Sequence, residues 1–597
     1  MGTAACVKNF FARLGDSFVS FFKKRWKWIV FALGCIVFLY TVYFIFAFRD
    51  SPIYQGVDSA YWNVRMVLFR VFCGAIDLFV FGYGMFLFSR HKLTVRGACI
   101  LLSFVAMITT MCYSFSTPIR DYGRHFNQHD DYYADIRTEF TREDGLHDSG
   151  AGHFGLIMTI FRTGQIPGLR PLGDGTYDFS FLQLGERYHP KTFYLLTGYF
   201  MRFNSLFVHG AEGNVEMTYV MTNTEWTLFE MNRILWTATV WLSFYYIYKA
   251  LKLLNLEGRA LVIAYVVAIF CPIFCFFANW NNNDAMYAMF GFAALYRGLH
   301  YFRYKDWKSC VLCALDIGLS MSCKLGGAII GLVMIPILIY GFIENVRASK
   351  GMKFSVHTPW VRMILQGVVF AAIVFPVGLF WPMYNKINFG QDLFYFSDAN
   401  NPNQLMQMNL WFACLVWPNA ESFTSIFCYH LVYPDWHLVQ DYSLTSNFMK
   451  KALFNEYQFG HSYAQLSFLY VIGMIFGLYV LVMILVRFIR FLTKRPKGID
   501  WKATLAIASI LVMNWGWEVW FIFKSPHTCN CDIRYIPTIL LGFGALAGGH
   551  VQSNDTISNP RIAKVVRYSE IALAGLYVFA VVLAYTTVTP WYAPVRV

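Results

Sequence analysis

Charge is what this chain has least of. Only 14% of its 597 residues are Asp, Glu, Lys or Arg, while 57% are hydrophobic and 19% aromatic. A soluble chain of ordinary composition carries about 25% charged residues, so a soluble globular protein is excluded. Mean hydropathy is +0.43, and apolar runs of roughly 20 residues recur along the sequence, long enough to cross a bilayer as helices. A P-loop and a dinucleotide fingerprint are also missing, and no internal repeat or low-complexity tract is present. Fourteen cysteines do not make a disulfide framework: Cys35, Cys73, Cys99, Cys271 and Cys275 lie inside hydrophobic runs, as small apolar packing residues do. Cys529 and Cys531, one residue apart, have poor spacing for zinc. No cleavable leader is expected, because the run after Lys23-Lys24-Arg25 is too long and lacks a small-residue cleavage site.

What is present is a formal net charge of +14. Nucleic acid is not the partner it implies, since the Lys and Arg fall in short loops between apolar runs, as the positive-inside rule requires. Spans are predicted at 28–48, 66–88, 95–116, 228–250, 260–278, 284–300, 309–323, 325–343, 362–384, 464–488, 502–523, 535–550 and 569–589, about thirteen by the length criterion. Lys8, Arg13, Lys23, Lys24, Arg25 and Lys27 precede the first, which puts the N-terminus in the cytoplasm. Parity then assigns to the cytoplasm the loops bearing Arg90 and Arg96, Lys252 and Arg259, Arg303 and Lys308, Arg347 and Lys353, Arg490 and Lys497, and Arg561 and Arg567; each is basic. The chain therefore divides into 1–116, with three spans; 117–227, a large external loop; 228–384, central spans; 385–463, a second external loop; and 464–597, the last spans.

The remaining polar residues collect on the external side. Charges kept at a bilayer boundary usually mark a site, because burying them there is costly. His147-Asp148-Ser149-Gly150-Ala151-Gly152-His153 opens an amphipathic helix with Leu156, Ile157, Ile160 and Phe161 at helical spacing. Asp148 is placed as a helix cap would be, yet capping does not account for two imidazoles beside it. Tyr188-His189-Pro190 heads a second such helix, carrying Phe193, Leu195, Leu196, Phe200 and Phe203. Asn279-Trp280-Asn281-Asn282-Asn283-Asp284 joins two spans, either as a tight turn or as planar amides suited to sugar hydroxyls. Lys324 stands before Gly326-Gly327 in a short, broken helix pair; it is a snorkelling lysine or a phosphate ligand. Asp532 and Arg534 precede a later span, as an internal ion pair or with Arg534 as a fork for phosphate oxygens. Asp316 lies mid-span without a sequence-local partner. The second external loop holds Asp392, Asp398, Glu421, His430, Asp435, Trp436 and His437 among aromatics.

An aspartate followed by Gly152-His153, a helix ending in Gly164-Gln165-Ile166-Pro167, and then Tyr188-His189-Pro190, resembles the GT-C superfamily of glycosyltransferases. Asn282-Asn283-Asp284-Ala285, Ser322 through Gly327 and Asp532-Ile533-Arg534-Tyr535 look like bacterial-type members of the protein O-mannosyltransferase and lipid A aminoarabinose transferase families. The likeness covers about residues 145 to 550. It implies an all-α polytopic bundle that moves a sugar from a polyprenyl- or dolichyl-phosphate carrier to a glycan, lipid or protein hydroxyl outside the cytoplasm. Asp148 would be the general base, and His147 and His153 would orient it or the acceptor. Lys324 and Arg534 would hold the phosphate, and Tyr188, His189, Asn283, Asp284 and Asp532 would shape the site. No cofactor is required, and a divalent metal on His147, Asp148 and His153 remains open. Relatives often carry an acidic pair where this chain has Asp148-Ser149, and a second proline where it has Lys191; these departures leave the donor sugar and metal requirement open. The alternative is a flippase or exporter of lipid-linked saccharides, which would share the span count but favours mid-bilayer polar residues and repeat symmetry. An acyl- or phosphoethanolamine-type transferase is disfavoured, since no activated Ser or Thr context is evident.

Overall fold

A computed structural model describes residues 26, 29–48, 60–117, 152–164, 166, 189–208, 223–390, 393, 429–432, 437–440, 444–454, 464–493, 500–524, 531–555 and 557–587. These residues form a helical bundle with one short hairpin. The first three helices are α1 (Ile29–Ala47), closing in a π-helical turn, α2 (Ala60–Ser89) and α3 (Val95–Ser116). Two shorter ones follow, α4 (Gly152–Thr163) and α5 (Thr192–Ser205). The central set is α6 (Asn223–Leu253), α7 (Gly258–Ile269), α8 (Ile273–Phe277), α9 (Asp284–Tyr304), α10 (Trp307–Cys323), α11 (Ala328–Ala348) and α12 (Pro359–Phe389). Strands β1 (Tyr429–Val432) and β2 (His437–Gln440) pair antiparallel, with Tyr429 opposite Gln440, inside the predicted second external loop. The chain continues with α13 (Leu444–Phe454), α14 (Ala464–Thr493), α15 (Trp501–Lys524), α16 (Ile539–Asn554) and α17 (Pro560–Thr587).

Local chemistry sets the ends of these helices. Thr94 caps α3 by accepting from the Gly97 N–H at 3.0 Å, and Asp306 caps α10 by accepting from Ser309 N–H at 2.9 Å. Pro359 starts α12 where its missing N–H costs nothing, and Gly390 ends it in the left-handed conformation. The run predicted as one span over 260–278 is two helices instead. Pro272 supplies no N–H to continue α7, so the chain turns and restarts as α8.

Among the described residues, eight helices are long and apolar enough to cross a membrane: α1, α2, α3, α11 with the turn before it, α12, α14, α15 and α17. The chain is thus a polytopic helical membrane protein. All but α3 are less than half buried and expose rows of large apolar residues, among them Leu78, Phe79, Ile339, Val368, Leu478 and Val512. Among the helices that miss that criterion, α6, α7, α9, α10 and α16 are shorter or more polar and supply much of the buried interior. Apolar burial gives little drive between helices that lipid could solvate equally well, so close packing must hold them. Gly544 and Gly548 of α16 face α7 closely enough that an added Cβ would lie 2.5 Å from the Ala264 carbonyl oxygen and 2.7 Å from that of Ala260.

Several turns predicted to share one side of the membrane meet at one end of the bundle. Arg303 donates to Leu253 O at 3.0 Å and to Asn255 Oδ1 at 2.7 Å. Arg259 pairs with Asp555 and Glu570, each at 2.8 Å, tying α7 to the ends of α16 and α17. Lys502 reaches Glu344 at 2.9 Å. α4 and α5 pack together through Gly198, where a Cβ would fall 2.7 Å from Ile160. The apolar stripe expected along α5 is divided: Phe193 is buried, whereas Leu196 and Phe203 join Tyr199, Leu206 and Phe207 on an exposed face. Apolar residues therefore flank α5 on both sides, as befits a helix between protein and lipid.

Candidate active site

The opposite end of the bundle is built from four separated stretches. The Asn279–Asn283 turn is wholly buried and leads into α9. Asn279 Nδ2 donates to Thr117 O at 3.4 Å, and Arg233 of α6 donates to Ser114 O and Thr117 O at 2.9 Å each, which seats the turn against the end of α3. Asn283 Nδ2 donates to Cys323 O at 2.9 Å, bringing the start of α9 to the end of α10. There α10 breaks into the 3-10 turn Leu325–Gly327. Gly327 lies so near the preceding turn that a Cβ would stand 2.5 Å from Met321 N, so no other residue fits without moving backbone. The break presents Lys324, whose Nζ donates to Asp284 Oδ1.

A second 3-10 turn, Ile533–Tyr535, comes up beside it. Asp532 caps this turn, accepting from Arg534 N at 3.0 Å, and its own N–H donates to Glu518 Oε1 of α15 at 3.0 Å. Arg534 is buried with its Nε 3.6 Å from Asp532 Oδ2. Tyr287 Oη of α9 donates to Tyr535 O at 2.7 Å, joining the two turns. From the other side come α4 and α5. His153 is buried, shares a 2.6 Å hydrogen bond between its Nδ1 and Tyr194 Oη, and lies with its ring 5.4 Å from that of His189. Lys191 Nζ donates to His189 O at 2.6 Å, fixing the bend before α5.

These charges feel one another. Burial holds the His153 imidazole well below its ordinary pKa of 6.5, and the fields of His189, Lys324 and Arg534 push it the same way. The ring is therefore neutral at physiological pH. Burial also lowers Lys324, with Asp284 opposing and Arg534 adding to the shift. Asp532 is raised by burial, against the nearby cations Arg534 and Lys451. The result is a desolvated pocket end with two cations beside two carboxylates and a neutral imidazole. Such a set can receive an anion and stabilise charge that develops on it.

Of the residues singled out from sequence, His153, His189, Asn283, Asp284, Lys324, Asp532 and Arg534 are thus gathered at one end of the bundle. His147, Asp148 and Tyr188 lie outside the described residues, as do Asp392, Asp398, Glu421, Asp435, Trp436 and Cys529. The orienting contact expected from His153 to Asp148 is not among those described; its Nδ1 meets Tyr194. Among the described residues no group of three or more His, Cys, Asp or Glu could hold a metal ion, and two of the three ligands weighed for one, His147 and Asp148, are not described. Glu518, Lys451, Tyr194 and Tyr287 belong to the surroundings of the site without having been marked. Glu518 was readable: it is the one acid in the 502–523 span, and an acid within a span is a functional signal in itself. Asp316 finds its partner across the helix pair, with Arg297 Nη1 at 2.8 Å from Oδ2.

No protein-family model matches this chain, and a search of curated proteins gives no significant match.

Proposed function

We propose that this protein is an inverting glycosyltransferase of the GT-C type. Its bundle would have about thirteen spans, with the N-terminus in the cytoplasm and the site on the extracytoplasmic face. One observation carries the reading: half-buried Lys324 and buried Arg534, far apart in sequence, lie side by side with Asp284 and Asp532 at the end of the bundle where α4 and α5 place His153 and His189. A cation pair largely withdrawn from solvent is suited to a phosphate leaving group, and the exposed apolar side of α5 suits a ligand that arrives from lipid.

In the proposed reaction a polyprenyl-phosphate sugar enters with its phosphate against Lys324 and Arg534. An acceptor hydroxyl attacks the anomeric carbon opposite the phosphate. The new C–O bond forms as the old one breaks, and the bonding pair leaves on the phosphate oxygen. Asp148 takes the hydroxyl proton. His189, Asn283 and Asp284 line the sugar, and neutral His153 can donate or accept a hydrogen bond without adding charge. The phosphate ester supplies the driving force, so no nucleotide is needed. Metal dependence is left to measurement.

The test is a reconstituted assay with a mixture of polyprenyl-phosphate sugars and purified protein. Consumption of one donor with formation of a glycoside is expected, and Asp148→Asn should abolish it while leaving the fold intact. Transfer at the parent rate by that variant overturns the mechanism. Relocation of the lipid across the bilayer without chemistry would identify a flippase. Membrane-impermeant labels should reach the 145–150 segment from outside; cytoplasmic labelling there would exclude the proposed orientation.

A further inference from the structure

Rings and cations alternate through the site. The Arg534 guanidinium lies 4.8 Å from the Trp280 ring centroid and 4.9 Å from that of Tyr535, and Lys324 Nζ lies 4.4 Å from the same Tyr535 ring. Tyr535 is therefore shared by both cations. Arg534 Nη2 donates to its hydroxyl at 2.9 Å, and Tyr287 Oη holds its carbonyl, so the ring cannot drift from between them. Two like charges withdrawn from solvent repel each other and lose hydration, and both effects favour loss of the lysine's proton or the two side chains' swinging apart. A carboxylate offsets that, but it occupies the same N–H donors that an incoming phosphate needs. An aromatic face adds to that through its quadrupole, and the face itself takes up no N–H hydrogen bond.

We infer that Tyr535 is a positioning residue whose ring keeps Lys324 charged and fixed beside Arg534, so that both cations are in place while a phosphate headgroup takes over from their carboxylate partners. The identity of the ligand rests on the glycosyl-transfer reading; the role of the ring does not. The groups that face the pair are Asp284 and Tyr287 from α9, Asp532 from the turn, His153 from α4, Lys451 from α13 and Glu518 from α15. Among the described contacts, the Tyr535 ring alone lies against both cations, since the Trp280 ring lies over Arg534.

The test keeps the shape of the side chain and weakens only its quadrupole. Tyr535→Phe is compared with mono-, di- and trifluorinated phenylalanine at the same position, in the full-length protein. Two readouts are taken: binding of undecaprenyl phosphate by native mass spectrometry, and the pH midpoint of Lys324 reductive dimethylation by peptide mapping. Each fluorine should weaken binding, by roughly thirtyfold in all between phenylalanine and the trifluoro form, and should move the Lys324 midpoint to lower pH. Tyr535→Phe itself should lose about threefold through the missing Arg534 hydrogen bond, without moving the midpoint. A flat midpoint across the series overturns the inference, whatever the lipid does. A stepped midpoint in a protein that binds no undecaprenyl phosphate retains the role of the ring and removes the glycosyl-transfer reading instead.

Discussion

Helices α9 and α10 carry two ion pairs, one at the tip of the hairpin and one along its length. At the tip Asp284 meets Lys324; deeper, Arg297 Nη1 lies 2.8 Å from Asp316 Oδ2. Both pairs are largely withdrawn from solvent and join the same two helices. Their surroundings differ. The tip pair has a second cation, a second carboxylate, a neutral imidazole and the Tyr535 face around it. Around the deeper pair the described contacts are the Tyr246 ring, 5.7 Å from the guanidinium, and its hydroxyl, 3.3 Å from Arg297 Nη2. A closed pair with an aromatic neighbour has nothing further to bind, so it ties α9, α10 and α6 together. A pair inside a larger set of charges can exchange partners when an anion arrives. Ion pairing alone does not identify a site; what else lies within reach does.

The sharpest way to break this contrast is to strip one partner from the deeper pair. Arg297→Met leaves Asp316 buried without its cation and should cost about 3–5 kcal/mol of stability, read as a lowered unfolding midpoint in detergent. Arg297→Met with Asp316→Leu should recover most of that loss and keep sugar transfer within about threefold of the parent. The matching double change at the tip, Asp284→Asn with Lys324→Met, should give the opposite pattern: a modest change in stability and transfer down by about 10²–10³. If the two doubles lose transfer equally, the distinction between tie and site is wrong.

The smallest effect is on acid sensitivity. His153 has a folded pKa below 6.5, so between the two values the unfolded chain binds more protons and stability rises with pH. Stability from this group is thus fully present above the ordinary pKa and lost on acidification. The parent unfolding midpoint should drop more steeply from pH 7 to pH 5 than that of His153→Gln. Equal slopes would mean that the imidazole is not held neutral by the charges around it.

Much of this was legible beforehand, for reasons that particular residues show. The apolar runs give helices close to the predicted bounds because a backbone in lipid has to satisfy its own hydrogen bonds; 95–116 matches Val95–Ser116. The broken pair around Gly326-Gly327 was readable because two adjacent glycines beside a lysine disfavour a continuous helix. The split at Pro272 was also in the sequence, although the hydropathy of 260–278 as a whole conceals it. Pairings were not legible. Nothing local joins Lys324 to Asp284, Arg297 to Asp316 or Asp532 to Glu518, since each depends on which helices neighbour one another. Nor was the hydrogen bond between His153 Nδ1 and Tyr194, which depends on how α5 lies against α4.

The polar character of the inner helices has a consequence for how the chain is made. Insertion machinery judges each segment as it emerges, and only eight of these helices are apolar and long enough to pass that judgement unaided. On the proposed topology, α6 and α9 enter lipid only once neighbours mask their polar groups, and the short α7, α10 and α16 only beside helices already there. Arg297 would then be tolerated only after Asp316 had been synthesised. Nascent chains cut off before residue 316 should leave cysteines placed in the α9 segment open to a membrane-impermeant label, and chains extended through α12 should not.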